Sequence, residues 1–204
     1  MGLNFSYLLY FKKDQLWDAL QGLAEIAERY SPGTIIHFPD HDLAIPLEAS
    51  SMSVKEYQYN DPEICFATCL NFKEDKAIRD YFKDRDGDDD WQRSPPDMDR
   101  KREVSIGYIY LWIYQKNPYS ESDDSVLFEF DTTGTRMSIL FSESSSIRKR
   151  FIQFLEKNNG ICGVFNREMG GGELFWYKGQ RYSIEISDQF LLPDDLEEII
   201  KGNL

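Results

Sequence analysis

Only two histidines occur in the chain, His37 and His41, and they flank the sequence His-Phe-Pro-Asp-His-Asp. Imidazoles beside carboxylates can begin a transition-metal site, and a zinc centre needs at least a third ligand. Cys65 and Cys69 lie four residues apart, on one face if the segment is a strand, and would complete a Cys₂His₂ set if they came from a neighbouring strand. Nothing in the sequence brings these four residues together. The simpler reading is a polar hairpin turn around the histidines and small thiols filling a core, with no metal and no cofactor.

The run Asp84-Arg-Asp-Gly-Asp-Asp-Asp90 offers hard oxygen ligands at Asp84, Asp86, Asp88, Asp89 and Asp90. A helix–loop–helix calcium site needs glycine at the sixth loop position and a bidentate glutamate at the twelfth. Those positions hold Asp89 and Pro95, so the run reads as a solvated acidic loop.

Nucleophilic catalysis requires a serine, threonine or cysteine with a general base, and the chain has neither a nucleophile-elbow sequence nor a cysteine beside a histidine. Carboxylates are so numerous that no particular pair stands out as an acid–base dyad. The glycines at 170 to 172 lack the Lys-Ser/Thr that follows a phosphate-binding loop and read as a turn. The expectation is therefore a protein that is not an enzyme. A scattered enzyme site would have to reveal itself through perturbed titratable groups.

The most distinctive local feature is Ile106-Gly-Tyr-Ile-Tyr-Leu-Trp-Ile-Tyr114. Strand alternation puts Tyr108, Tyr110, Trp112 and Tyr114 on one face and Ile109, Leu111 and Ile113 on the other. Rows of tyrosine and tryptophan supply contact area with a polar tip, suited to a ligand cleft or a protein interface, whereas a central strand under helices would bury the same rings as core. Trp176 and Tyr177 are candidates for the same aromatic lining.

These residues must be positioned by a chain of 204 residues with 41% hydrophobic and 15% aromatic content. That length buries roughly 70% of the unfolded surface, enough for a substantial core. No apolar run approaches the roughly 20 residues of a membrane-spanning helix. The opening residues lack a basic leader and read as a strand, with Gly2 and Ser6 matching a lipidation pattern only incidentally. Three cysteines, an odd number, suggest reduced thiols and a cytoplasmic setting. With 23 basic and 36 acidic residues the net charge is −13, which disfavours nucleic acid and anionic lipid and favours basic partners.

The pattern of elements predicts the α+β class, a mostly antiparallel or mixed sheet with helices on one face, built from about three β-α-β-β-like units. The first, residues 1–48, has a strand from Phe5 to Phe11, an Asp14-capped helix with Leu16, Leu20, Leu23, Ala27 and Tyr30 at helical spacing, and strands Thr34 to Phe38 and Leu43 to Leu47. A polar linker, Ala49 to Pro62, follows. The second unit, 62–131, has strand Ile64 to Leu70, helix Asp75 to Lys83, and strands Val104 to Tyr114 and Val126 to Asp131. It is interrupted by the acidic excursion 84–102, which contains Pro95-Pro96 and seven aspartates. The third, 135–204, is predicted as strand Arg136 to Phe141, helix Ser146 to Lys157, strands Ile161 to Asn166 and Glu173 to Tyr177, and a last helix Asp194 to Lys201.

One compact domain or two closely packed subdomains would accommodate these units. The function expected from charge and missing catalytic motifs is binding of a basic protein partner, in the manner of an inhibitor or immunity factor. The alternative is a small-molecule-binding domain with an aromatic-lined cleft, and a homodimer is compatible with either.

Overall fold

The computed structural model describes residues 2–29, 33–50, 55–83, 103–116, 124–168, 171–186 and 196–203. Strand β1 (Ser6–Lys12) joins a 3-10 turn (Lys13–Gln15) to α1 (Leu16–Ala24). Four short strands follow, β2 (Thr34–His37), β3 (Asp42–Ile45), β4 (Glu48–Ala49) and β5 (Glu56–Gln58). Long β6 (Glu63–Lys73) leads to α2 (Lys76–Lys83), then β7 (Glu103–Tyr114) and β8 (Ser125–Asp131). Two consecutive helices, α3 (Thr135–Glu143) and α4 (Ser145–Lys157), precede β9 (Cys162–Asn166), β10 (Gly172–Tyr177), β11 (Gln180–Ile186) and α5 (Leu196–Asn203).

Eight strands form one antiparallel sheet in the order β11-β10-β9-β1-β8-β7-β6-β4, and β3-β2-β5 form a second, mixed sheet. The chain is thus an α+β protein. Strand β1 lies between β8 and β9 and pairs with both, Leu8 opposing Glu129 on one side and Val164 on the other. Strands from all three predicted units therefore share one sheet.

Alternation along β1 sorts the core into two layers. Tyr7, Leu9 and Phe11 join Phe128, Phe130, Phe141, Phe151 and Leu20 beneath α1 to α4. Leu8 and Tyr10 join Leu127, Val164 and Leu174 with Leu196 and Ile200 of α5 on the opposite face. The helices are therefore not all on one side: α5 covers the reverse of the β1-β9-β10 half.

Two bulges change which side chains face which layer. Between Cys69 and Asn71 of β6 the partner strand shifts register, with Gly107 at φ 101 in the extra position. Val104 and Ile106 face the helices, but beyond the glycine it is Ile109, Leu111 and Ile113 that do so, and the tyrosines turn outward. A second shift falls between Leu174 and Trp176 of β10, so that Phe175 and Trp176 both enter the helix-side layer. Gly163 makes room there, because a side chain at that position would meet the Phe175 ring at 2.6 Å.

The segment predicted as strand Arg136 to Phe141 is helical. Met137, Leu140 and Phe141 all face the core, a helical spacing in a run too short to be assigned by eye. Buried Ser138 anchors it, its Oγ donating to Leu3 O and lying 2.7 Å from Thr132 Oγ1. The strand that feeds these helices is β8, already counted in the second unit. Helix α1 is shorter than its apolar stripe predicts. Ala27 forms a bridge with Leu70, Asn71 N donates to Ile26 O, and Glu28 N donates to Cys69 O, so backbone pairing with the bulged end of β6 replaces the last helical turns. Asp14 lies in the 3-10 turn and caps nothing. Strands β4, β5 and β11 are additional to those predicted, and α5 runs through Gly202 to Asn203.

Asp75 joins two helices. Its Oδ1 accepts from Ile78 N at 3.0 Å at the start of α2, and its Oδ2 accepts from Ser144 Oγ (2.8 Å), Ser145 Oγ (3.4 Å) and Ser146 N (3.0 Å) at the start of α4. Ser144 Oγ in turn accepts from Ile147 N. Burial alone would raise the Asp75 carboxyl, but these hydrogen bonds outweigh it and hold the group below the usual carboxylate range.

Loss of both caps in Asp75→Ala should cost about 2 kcal/mol of stability at neutral pH, read as a shift of the urea midpoint. A depressed carboxyl stabilises above its unfolded value and ceases to do so as pH falls through its folded value. The gap between wild type and variant should therefore close only in strong acid, and a neutral-pH difference under about 0.5 kcal/mol would show that the caps are redundant.

Candidate functional site

Among the described residues, α5 packs on the β11-β10-β9-β1 half of its face and no helix lies over the β8-β7-β6-β4 half. Outward positions there are Ser125, Leu127, Glu129 and Asp131 of β8, Tyr108, Tyr110, Trp112 and Tyr114 of β7, Glu63, Cys65, Ala67 and Cys69 of β6, and Glu48 of β4. Tyr108 and Tyr110 are 55% and 41% exposed, while Trp112 and Tyr114 are half-buried. The Trp112 and Tyr114 rings stack at 6.4 Å, and Tyr114 borders the layer under α5. The four aromatic side chains expected to share a face do share it.

Trp176, expected with them, lies on the other side of the sheet. It is 4% exposed in the main core, and its Nε1 donates to Gly160 O at 3.2 Å. The β10 bulge puts it there. Tyr177 faces the α5 layer and is buried. The acidic residues Asp84, Asp86, Asp88, Asp89 and Asp90 lie outside the described residues.

Sequence reasoning passed over the carboxylates of this face. Register places Glu129 opposite Trp112 and Asp131 opposite Tyr110, with Glu63 opposite Tyr114 and Glu48 opposite Ala67. These thirteen positions, all on one side of the β6 bulge, carry four carboxylates and no lysine or arginine, while Lys73 pairs with Glu103 beyond the bulge. The alternation of Leu127, Glu129 and Asp131 with Val126, Phe128 and Phe130 was the available signal.

Glu129 is 7% exposed and its Oε1 accepts from Ser6 Oγ at 3.1 Å. Burial, reinforced by the Asp131 charge, pushes its carboxyl up to about 7, Ser6 opposing. Burial likewise pushes Asp131 up to about 6. Cys65 and Cys69 are raised by burial to about 11 and are neutral thiols at physiological pH.

The histidines sit elsewhere, on the small sheet. His37 Nδ1 lies 2.8 Å from Asp42 Oδ1 and its Nε2 lies 3.3 Å from Glu56 Oε2, so one imidazole ties β3, β2 and β5 together. His41 Nδ1 lies 2.9 Å from Asp40 Oδ1, and its ring stacks on Phe38 at 4.6 Å. Carboxylates at opposite edges of His37 suit a doubly protonated ring, and its hydrogen bonds to Asp42 and Glu56 raise its pKa. Among the described residues no group of three or more histidine, cysteine, aspartate or glutamate side chains is placed to hold a metal ion.

Comparison of the chain with protein-family models, with curated proteins and with solved structures finds no match. Among the described residues no helix is long and apolar enough to cross a membrane.

Two pH dependences follow from these groups. A raised carboxyl makes the folded state hold its proton longer, so stability falls as pH rises between the ordinary glutamate value and about 7. Glu129→Gln should therefore stabilise the protein by upward of about 1 kcal/mol at pH 8 relative to its effect at pH 5, measured by urea denaturation. An equal effect at both values would mean that Glu129 titrates normally. For His37 the sign is opposite: its contribution is complete below its unfolded value and is lost as pH rises through the folded one. A proton-NMR titration should place the His37 imidazole above the ordinary 6.5, and Glu56→Gln should bring it down.

Proposed function

We propose that this chain is a non-catalytic binding protein that engages a basic protein partner through the open half of its large sheet, acting as an inhibitor or immunity factor. The observation that carries the reading is the composition of that face, with two exposed tyrosines and a half-buried tryptophan among four carboxylates and, at the described positions between Glu63 and the β6 bulge, no cation. Aromatic side chains supply desolvated contact area, and unbalanced negative charge selects and steers a cationic surface. The net charge of −13 extends the same field over the molecule. The three cysteines are free thiols, which suits a reducing cytoplasm.

A second reading, small-molecule binding at the same face, is favoured by the recessed Glu129 carboxyl beside Trp112, since convergent polar groups among rings are what a ligand site needs. It predicts a ligand whose binding is independent of salt, in contrast to protein docking.

Affinity capture on the immobilised protein, with Tyr108→Ala/Tyr110→Ala as the matched control, tests the first reading. Wild type should retain a basic protein at low salt and release it near 1 M salt. The variant should bind it more weakly by about 1 kcal/mol or more per ring removed. Equal retention by both proteins, or recovery of acidic and neutral proteins alone, would overturn it.

A further inference from the structure

The open face has one spot where its two chemistries meet. Trp112 and Tyr110 are alternate residues of β7, and directly across the ladder stand Glu129 and Asp131. On the far side of β8, Glu129 is followed by Leu8 and Asp131 by Ser6, so the pair is bounded by rings on one flank and by a small hydroxyl and an apolar side chain on the other. Side chains directly opposed across a ladder are about 5 Å apart at Cβ, and alternate positions along a strand about 6.6 Å apart. Two carboxylates and two rings thus fit within the span of one planar cation.

Glu129 distinguishes this spot from an ordinary acidic patch. It is more than nine-tenths buried, and Ser6 Oγ donates to only one of its oxygens. A carboxylate largely removed from water gains from each further donor that a partner brings to it. Among the described residues, the outward positions of β4, β6, β7 and β8 on this side of the β6 bulge hold no lysine or arginine.

Resting on the reading that this face docks a basic protein, we propose that Glu129 and Asp131 form the seat for a single arginine side chain of that partner, its guanidinium bridging the two carboxylates and lying against Trp112 and Tyr110. Arginine suits the seat better than lysine. Its planar fork offers five donors, enough to serve two carboxylates at once, and its delocalised charge stacks on ring faces, whereas an ammonium is a compact and strongly hydrated point charge. Such anchors sit near the centre of interfaces and carry a large share of their energy. The tyrosine at 108, one step further along β7 and opposite Cys69, then belongs to the surround of the seat.

The probe is N-acetyl-arginine amide, titrated into isotopically labelled protein at pH 8 with N-acetyl-lysine amide and the neutral isostere N-acetyl-citrulline amide in parallel. The arginine probe should shift Trp112 indole and Ser6 resonances saturably, the lysine probe at least about threefold more weakly, and citrulline not at all. Glu129→Gln/Asp131→Asn should weaken the arginine probe at least tenfold, and the milder Asp131→Asn alone, at a half-buried position, should weaken it measurably where the double variant folds poorly. Shifts that are equal for citrulline, or unchanged in Asp131→Asn, overturn the seat. The two levels fail separately. A basic protein that is captured through Tyr108 and Tyr110 but is indifferent to Glu129→Gln/Asp131→Asn leaves the docking face standing and removes the seat. Probe binding that needs the pair supports the seat even where no basic protein is captured.

Discussion

Strand β1 is paired along both edges and packed on both faces, and the rest of the molecule is arranged to make that possible. Its residues from Ser6 to Phe11 are all buried. A strand so enclosed must be apolar on both sides, which Tyr-Leu-Leu-Tyr-Phe supplies, with Tyr7 donating its hydroxyl to Phe141 O. Covering the Tyr7 side requires α1, α3 and α4. Covering the Leu8 side requires α5, which is short and reaches only as far as the Tyr10, Leu127 and Tyr177 neighbourhood. The open half of the sheet is what remains.

That asymmetry explains why polar and aromatic residues share a face that could not tolerate them elsewhere. Glu129 and Asp131 stand at the border between covered and open halves, close enough to the apolar layer to lose hydration and close enough to the opening to meet a visitor. Elsewhere the molecule satisfies comparable buried charge internally. Glu173, equally buried at 7% exposure, receives both guanidinium donors of Arg148 at 2.5 and 2.7 Å and a hydroxyl from Ser183. Glu129, on the same sheet, has Ser6 Oγ as its donor among the described residues.

The α+β class, most strands and the aromatic row were legible in the sequence because they depend on local periodicity: Ile109, Leu111 and Ile113 against Tyr110, Trp112 and Tyr114 needs no knowledge of the fold. What escaped were consequences of pairing. Trp176 looks equivalent to the exposed rings until the β10 bulge shifts it by one position. The helix at Thr135–Glu143 is too short for its period to outweigh an aromatic-rich composition that also suits a strand. The truncation of α1 is written in the backbone needs of Cys69 and Asn71, more than forty residues away. The carboxylates of β8 were hidden by abundance, since their significance lies in the cross-strand neighbours that only the register reveals.

The central place of β1 also sets a timetable for the nascent chain. Lys12 must pair with Ser125, and Leu8 with Val164, each more than a hundred positions later. A ribosome adding some 5–20 residues per second therefore holds an unpaired, largely apolar strand in the open for several seconds before either edge can be closed. Long-range closure of this kind is slow and invites association between neighbouring chains on a polysome. The surplus of negative charge carried by every copy offers those chains a mutual repulsion during that interval, a service to the unfinished protein that is separate from anything it does for the finished one.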